Sequence, residues 1–276
     1  MDPRLKNIAE NLDSWKLGLD DSFQFHCTAC GKCCIDREDI LLTPRDLYNA
    51  SKALNLAPTE FVNTYCECYI GQDSRIPIVR LKPRGSIKRC PLLKDHKCSI
   101  HSAKPAVCAL YPLGRAMSFE KGSYNHDGVA GGEIQYFISP FNCGDKSETH
   151  TVREWLTDFN LPVEDRYFLS WHAFISEVCL FIRKIEGKVS DKLLDTIWTT
   201  IYQLIYLCYD TGEDFMTQFE RNKTALLEII QETKKELGDV RPESLPDHED
   251  RREELLCGES FGHLQLRQGS PDLLYL

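Results

Sequence analysis

Long apolar runs are missing from this 276-residue sequence. No stretch reaches the roughly 18 uninterrupted apolar residues that a membrane helix needs. The most apolar window, residues 193–209, is broken by Asp195, Thr199, Thr200 and Gln203. An excess of positive charge is missing too. The 33 Lys and Arg stand against 42 Asp and Glu, for a formal charge of −9, so no general attraction to nucleic acid or to an anionic membrane is expected. The opening residues, MDPRLKNIAENLDSWKLGLDD, are charged and hold no apolar core, so neither a signal nor a transit peptide is read there. There is no GxGxxG after a strand and no GxxxxGK[ST], which argues against a dinucleotide fold and a phosphate loop. GxSxG and HExxH are absent as well. A radical S-adenosylmethionine spacing, CxxxCxxC, would need a cysteine where His26 precedes Cys30 and Cys33.

Cysteine, by contrast, is abundant, with 13 in the chain. With no leader segment the expected compartment is the cytoplasm, where thiols stay reduced, and there such numbers argue for metal before disulfide. The densest stretch is FHCTACGKCC, residues 25–34, which holds Cys27, Cys30, Cys33 and Cys34. Packing requires no such density, whereas a two-residue gap lets a turn bring two sulfurs to one metal, and Gly31 supplies the positive φ for a tight loop. Cys90, Cys98, Cys108 and Cys143 follow downstream. Four thiolates complete a tetrahedral zinc or an iron–sulfur cluster, so eight suffice for two centres, or for one centre and a reactive remainder. Cys33 and Cys34 are adjacent, and their side chains are expected to point apart and serve different roles. His26, His96 and His101 lie beside cysteines and read as spare ligands or as donors to sulfur. Cys66 and Cys68 read as packing thiols on a helix; Cys179, Cys208 and Cys257 read as structural.

The coarse pattern is α+β: a small, loop-rich cysteine-cluster domain with short strands, followed by an α-helical region. Apolar spacing predicts a helix over residues 4–18, and Thr43 with Pro44 marks a second helix start. A third helix is predicted from Pro58 to Gly71. Strands are predicted at 76–82, about 115–119 and 133–139. Thr151 caps a short helix, and three long helical patterns follow at about 163–186, 190–210 and 213–237. The middle one is apolar nearly all round and is expected to be buried between partners. Expected divisions are an N-terminal helix at 1–22, the cysteine domain at 23–160, a helical bundle at 161–238 and a flexible tail at 239–276.

Four features in fixed order carry a family resemblance: FHCTACGKCC, ILLTPRDLYNASKALNLAPTEFVNTY, CPLLKDHKCSIHSAKPAVCALYPL and the NCG before TVREWL. Over about residues 23–160 the chain resembles the YkgJ-type cysteine-cluster proteins, zinc- or iron-chelating domains that include flagellin lysine methylases. His101 departs from an aromatic residue in that family, and Lys104 and Ala109 depart from arginines. The resemblance implies metal binding by the eight cysteines, with an iron–sulfur cluster, 4Fe-4S, favoured and Zn2+ as the alternative. For the methylase branch it further implies S-adenosylmethionine and a protein substrate, which would make the chain a methyltransferase, or else an oxidoreductase. The rival expectation is a non-catalytic, zinc-stapled interaction module.

Overall fold

Residues 10–118, 124–125, 128–129, 133–138, 140–238 and 267–268 are described by the computed structural model, a mixed α+β fold. A helical turn at residues 10–15 (α1) represents the predicted N-terminal helix, whose first residues lie outside the described ones. It stops early because Lys16–Leu17 (β1) joins a sheet. Ser22–His26 (β2) is a strand additional to those that the sequence predicts. Its alternation of buried Phe23 and Phe25 with exposed Ser22 and Gln24 shows why it forms.

Pro44–Leu54 (α2) begins as expected, with the Thr43 hydroxyl accepting from the Asp46 N–H and the Asp46 carboxylate closing a capping box. Pro58–Tyr65 (α3) is shorter than predicted. Cys66–Ile70 (β3) leaves the helix and pairs antiparallel with Pro77–Leu81 (β4), so Cys66 and Cys68 lie on a strand and not on a helix. The β-branched and aromatic residues across that pair outweigh the helical continuation. Leu42 donates to the Val79 carbonyl at 2.9 Å and Leu81 to that of Ile40 at 3.0 Å, which ties the segment after the cysteine loop to β4.

A small hairpin, Leu93–Lys94 (β5) with Lys97–Cys98 (β6), precedes the short helix Ala106–Leu110 (α4). Leu113–Ser118 (β7) is followed by the two-residue strands Tyr124–Asn125 (β8) and Gly128–Val129 (β9), which pair with each other. Glu133–Ile138 (β10) sits between β1 and β7 in a three-stranded antiparallel sheet. Phe137 faces Gly114 in register, and a Cβ at Gly114 would overlap that ring. Asp145–Thr151 (β11) pairs with β2 despite its polar sequence.

Helices Val152–Asp158 (α5), Arg166–Ile185 (α6), Asp191–Tyr202 (α7) and Phe215–Gly238 (α8) follow the predicted pattern. A π-turn at Gln203–Leu207 extends α7. The expectation of an all-round buried middle helix fails: Leu193 is 43% exposed, and only Leu194, Ile201 and Tyr202 of α7 are buried. The apolar residues on its outer side therefore exceed what its packing uses. A two-residue strand, Arg267–Gln268 (β12), pairs parallel with β3; the rest of the tail region, 239–266 and 269–276, lies outside the described residues.

Two hydrophobic clusters organise the chain. The larger joins α2, α3 and β4 to α6, α7 and α8, with Leu47, Phe61, Val79, Ile182, Ile201 and Phe219 nearly inaccessible. A smaller one gathers Phe23 and Phe25 of β2 with Leu110, Tyr136, Trp155 and Leu156. A buried ion network spans the elements between them. Asp165, 1% exposed, caps α6 through the Phe168 N–H at 3.1 Å and accepts from Arg45 of α2 at 2.7 Å and Arg115 of β7 at 2.8 Å. Burial works to raise the carboxyl of Asp165, but the two guanidinium groups prevail and hold it below the usual range.

Candidate metal centre

The first cysteine loop is built as its spacing suggests. Gly31, at φ 70°, starts a 3-10 turn over Lys32–Cys34, closed by the Cys34 N–H donating to the Gly31 carbonyl at 3.0 Å. Gly31 is not alone in the left-handed region, since Ala29 and Asp36 share it. The turn brings the sulfurs of Cys33 and Cys34 to 3.9 Å. That corrects the expectation that adjacent side chains would diverge.

Main-chain bonds then dock this loop on a second segment. The Cys90 N–H donates to the Cys34 carbonyl at 2.8 Å, and the Asp36 and Arg37 N–H groups donate to Ile87 and Lys88. Cys143 arrives from between β10 and β11, with its sulfur 3.3 Å from that of Cys30. Gly144 makes this approach feasible: it has φ 72°, and a Cβ there would lie 2.7 Å from Cε2 of Phe25. Cys90, Cys98 and Cys108 pack against the edge of the larger hydrophobic cluster, while Gly144, next in sequence to Cys143, abuts the smaller one at Phe25. The cysteines thus occupy the seam between the two clusters.

Backbone N–H groups point at these sulfurs. Cys30 receives those of Lys32 and Gly144, Cys90 those of Leu92 and Leu93, Cys98 that of Ile100, and Cys143 that of Cys33. Such donors favour thiolate over thiol. For Cys30, the Lys32 N–H and then the Cys143 thiol lower the pKa to about 7. Elsewhere crowding and burial win. Cys143 is pushed up to about 12 by burial and by its bond to Cys30. The bond to Cys34, then burial, pushes Cys33 up, and burial raises Cys90, Cys98 and Cys108. Burial raises Cys66 as well, and no backbone N–H offsets it there, a condition that Cys108 shares.

These donors fit a metal. Thiols that raise one another's pKa need an added positive charge to ionise together, and a bound cation supplies it. Two sulfurs sharing one tetrahedral ion at about 2.3 Å stand about 3.8 Å apart, close to the spacing of Cys33 with Cys34, whereas Cys30 and Cys143 at 3.3 Å stand nearer than that. Among the described residues, however, no three His, Cys, Asp or Glu side chains stand in the geometry of a single ion site. Cys27 is exposed, and no other thiol lies within hydrogen-bonding distance of it among the described residues. His26 points elsewhere, with Nδ1 3.1 Å from the Ser147 hydroxyl and 3.4 Å from the Asp145 carboxylate. His96 and His101 are exposed. Cys179 is buried in α6 and Cys208 is exposed; Cys257 lies outside the described residues.

Sequence reasoning missed the cations of the site. Arg37 donates to the Cys33 carbonyl at 3.3 Å while held by Asp39 at 2.6 Å, and its charge acts on Cys90 and Cys108. Lys104 acts on Cys33 and Cys98. Tyr111 was missed as well. It and Phe141 both meet Phe25 edge-on, and they line a cavity of about 620 Å³ that reaches Cys33 and Arg37. The only signal available in advance was that clustered thiolates need nearby positive charge.

Residues 26–127 match the CxxCxxCC family, described as "Putative zinc- or iron-chelating domain", and over this stretch the chain is similar to that cysteine-cluster domain. Cys143 falls beyond the matched residues. No curated protein and no solved structure matches the chain. Among the described residues no helix is long and apolar enough to cross a membrane.

Proposed function

We propose that the CxxCxxCC domain and Cys143 together hold a thiolate-ligated iron–sulfur centre, and that this centre fastens the two hydrophobic clusters to each other. The observation that carries the proposal is the set of backbone N–H groups aimed at Cys30, Cys90, Cys98 and Cys143. Packing thiols need no such donors, whereas metal-bound thiolates are oriented and tuned by them. The number of thiolates fits either metal, because four complete one zinc or one cluster and eight would serve two centres or leave a reactive remainder. When bound, the centre would supply positive charge to ionise the thiols and, as an iron–sulfur cluster, an electron-accepting group. The protein's own contribution is to favour the thiolate of Cys30, to set Arg37 and Lys104 beside the buried sulfurs, and to wall the cavity at Cys33 with Tyr111 and Phe141.

Zinc is a second reading, and a specific observation favours it: the sulfurs of Cys33 and Cys34, 3.9 Å apart, have nearly the spacing of two ligands on one tetrahedral ion. Methyl transfer from S-adenosylmethionine to a protein lysine, or electron transfer to a partner, is supported by the family resemblance alone. Anaerobic purification followed by iron, zinc and acid-labile sulfide assays separates the readings. Brown protein absorbing broadly near the violet edge, with sulfide equal to iron, supports the cluster. Colourless protein with stoichiometric zinc replaces it with the second reading.

A further inference from the structure

The acidic chain carries one concentrated patch of opposite sign. Residues 82–97 hold six Lys and Arg and a single acidic residue, Asp95. At residues 84–89 they form a tight hairpin, in which Arg84 and Arg89 exchange main-chain hydrogen bonds of 2.7 and 2.9 Å. Gly85 sits at its tip with φ 70°, and nothing stands within 4 Å of where its Cβ would be.

Two like charges directly opposite on paired strands repel each other. Arg84 lies over the Tyr65 ring at 5.9 Å, yet neither arginine has a carboxylate partner among the described residues. Lys88, in contrast, is paired with Glu38 at 2.6 Å. Between the arginines the tip exposes Ile87, at 56% the most exposed large apolar side chain among the described residues. Behind the hairpin, Ile87 and Lys88 accept from Asp36 and Arg37, and Cys90 donates to Cys34. The projection is therefore braced directly on the cysteine loop.

We propose that the 84–89 hairpin docks an acidic segment of a partner protein, with carboxylates lodged between Arg84 and Arg89 and Ile87 seated in an apolar notch beside them. Guanidinium forks suit carboxylates. An extended polyanion such as nucleic acid, or an anionic membrane, would lay phosphates over the remaining surface of a chain with formal charge −9. A local acidic patch meets only the hairpin, within the Debye length of about 8 Å at physiological salt. Ile87 also has no use for a phosphate backbone. Docking here would set the partner beside the cysteine centre.

The test uses full-length protein as purified, with an alternating Glu–Leu peptide, a single-stranded oligodeoxynucleotide and phosphatidylserine-containing vesicles as probes. The peptide is expected to bind, and to bind less as salt rises. Arg84→Gln with Arg89→Gln should weaken it roughly tenfold and flatten the salt dependence, with a melting temperature at or above that of the parent. Ile87→Ser should weaken binding with the salt dependence unchanged. Equal peptide binding by the double variant, tighter binding of the oligonucleotide or the vesicles than of the peptide, or a lower melting temperature in the double variant would each overturn the proposal.

Discussion

Cys30 shows how little of this site is made by the cysteine itself. Its sulfur is held by two backbone N–H groups, from Lys32 and Gly144, that come from opposite ends of the cysteine domain. Gly144 therefore has two tasks, a left-handed φ of 72° and a close approach to Phe25. Gly144→Ala is expected to cost about 1–3 kcal/mol, seen as a lower urea midpoint, and to reduce bound metal. An unchanged midpoint would show that the turn can relax. The thiols were legible in the sequence because cysteine density has few other causes. Their partners were not: N–H donors, Arg37 and Lys104 carry no signature until the chain has brought them near.

A second residue gives a pH signature. His172 is buried in α6 with Nδ1 2.8 Å from the Phe168 carbonyl, and burial lowers its pKa to about 4. In the unfolded chain it titrates near the ordinary value of about 6.5. The unfolded state thus binds the extra proton between these values, so stability falls as pH drops from about 6.5 towards 4, by on the order of 3 kcal/mol when complete. His172→Gln should remove that part of the slope. Parallel stability–pH curves for the variant and the parent over this window would contradict the assignment.

At the scale of elements, the network at Asp165 fastens α2, β7 and α6 at one point. Replacing the carboxylate leaves two guanidinium groups beside a buried neutral amide, so Asp165→Asn is expected to cost about 3–5 kcal/mol in chemical unfolding. A loss below about 1 kcal/mol would mean that water takes the carboxylate's place. Capped, amphipathic helices such as α2, α5 and α6 were readable because their signals are local: Thr43 and Thr151 form the expected caps, and Asp46 and Glu154 close each of them into a box. Strands β2, β3 and β11 were not readable, since each depends on a partner far along the chain. β3 reads as a helix until β4 arrives, and β11 is polar throughout. Apolar content also overstated the burial of α7, where Leu193 stays largely in solvent.

For the whole molecule the arrangement matters more than any one element. Cys90, Cys98 and Cys108 edge the larger hydrophobic cluster, while Gly144, next in sequence to Cys143, abuts the smaller. Ligands drawn from both sides make the centre a cross-link, and binding to a site present only in the folded chain is itself folding free energy. A strong thiol-competing chelator should therefore loosen the β2, α5 and β10 cluster while much of the helical content persists. Loss of near-ultraviolet circular dichroism from Trp155 ahead of the far-ultraviolet helix signal would register this. Simultaneous loss of both signals would argue that the clusters unfold as one.

The most direct test compares metal content per chain in the parent protein and in Cys30→Ser, Cys98→Ser and Cys179→Ser, purified side by side without oxygen. A sharp loss of metal is expected in the first two variants, because each removes a thiolate that a backbone N–H helps to hold. Cys179→Ser should keep full occupancy at a stability cost of about 1 kcal/mol. Equal metal loss in Cys179→Ser and Cys30→Ser, or full occupancy in all three, would contradict the site.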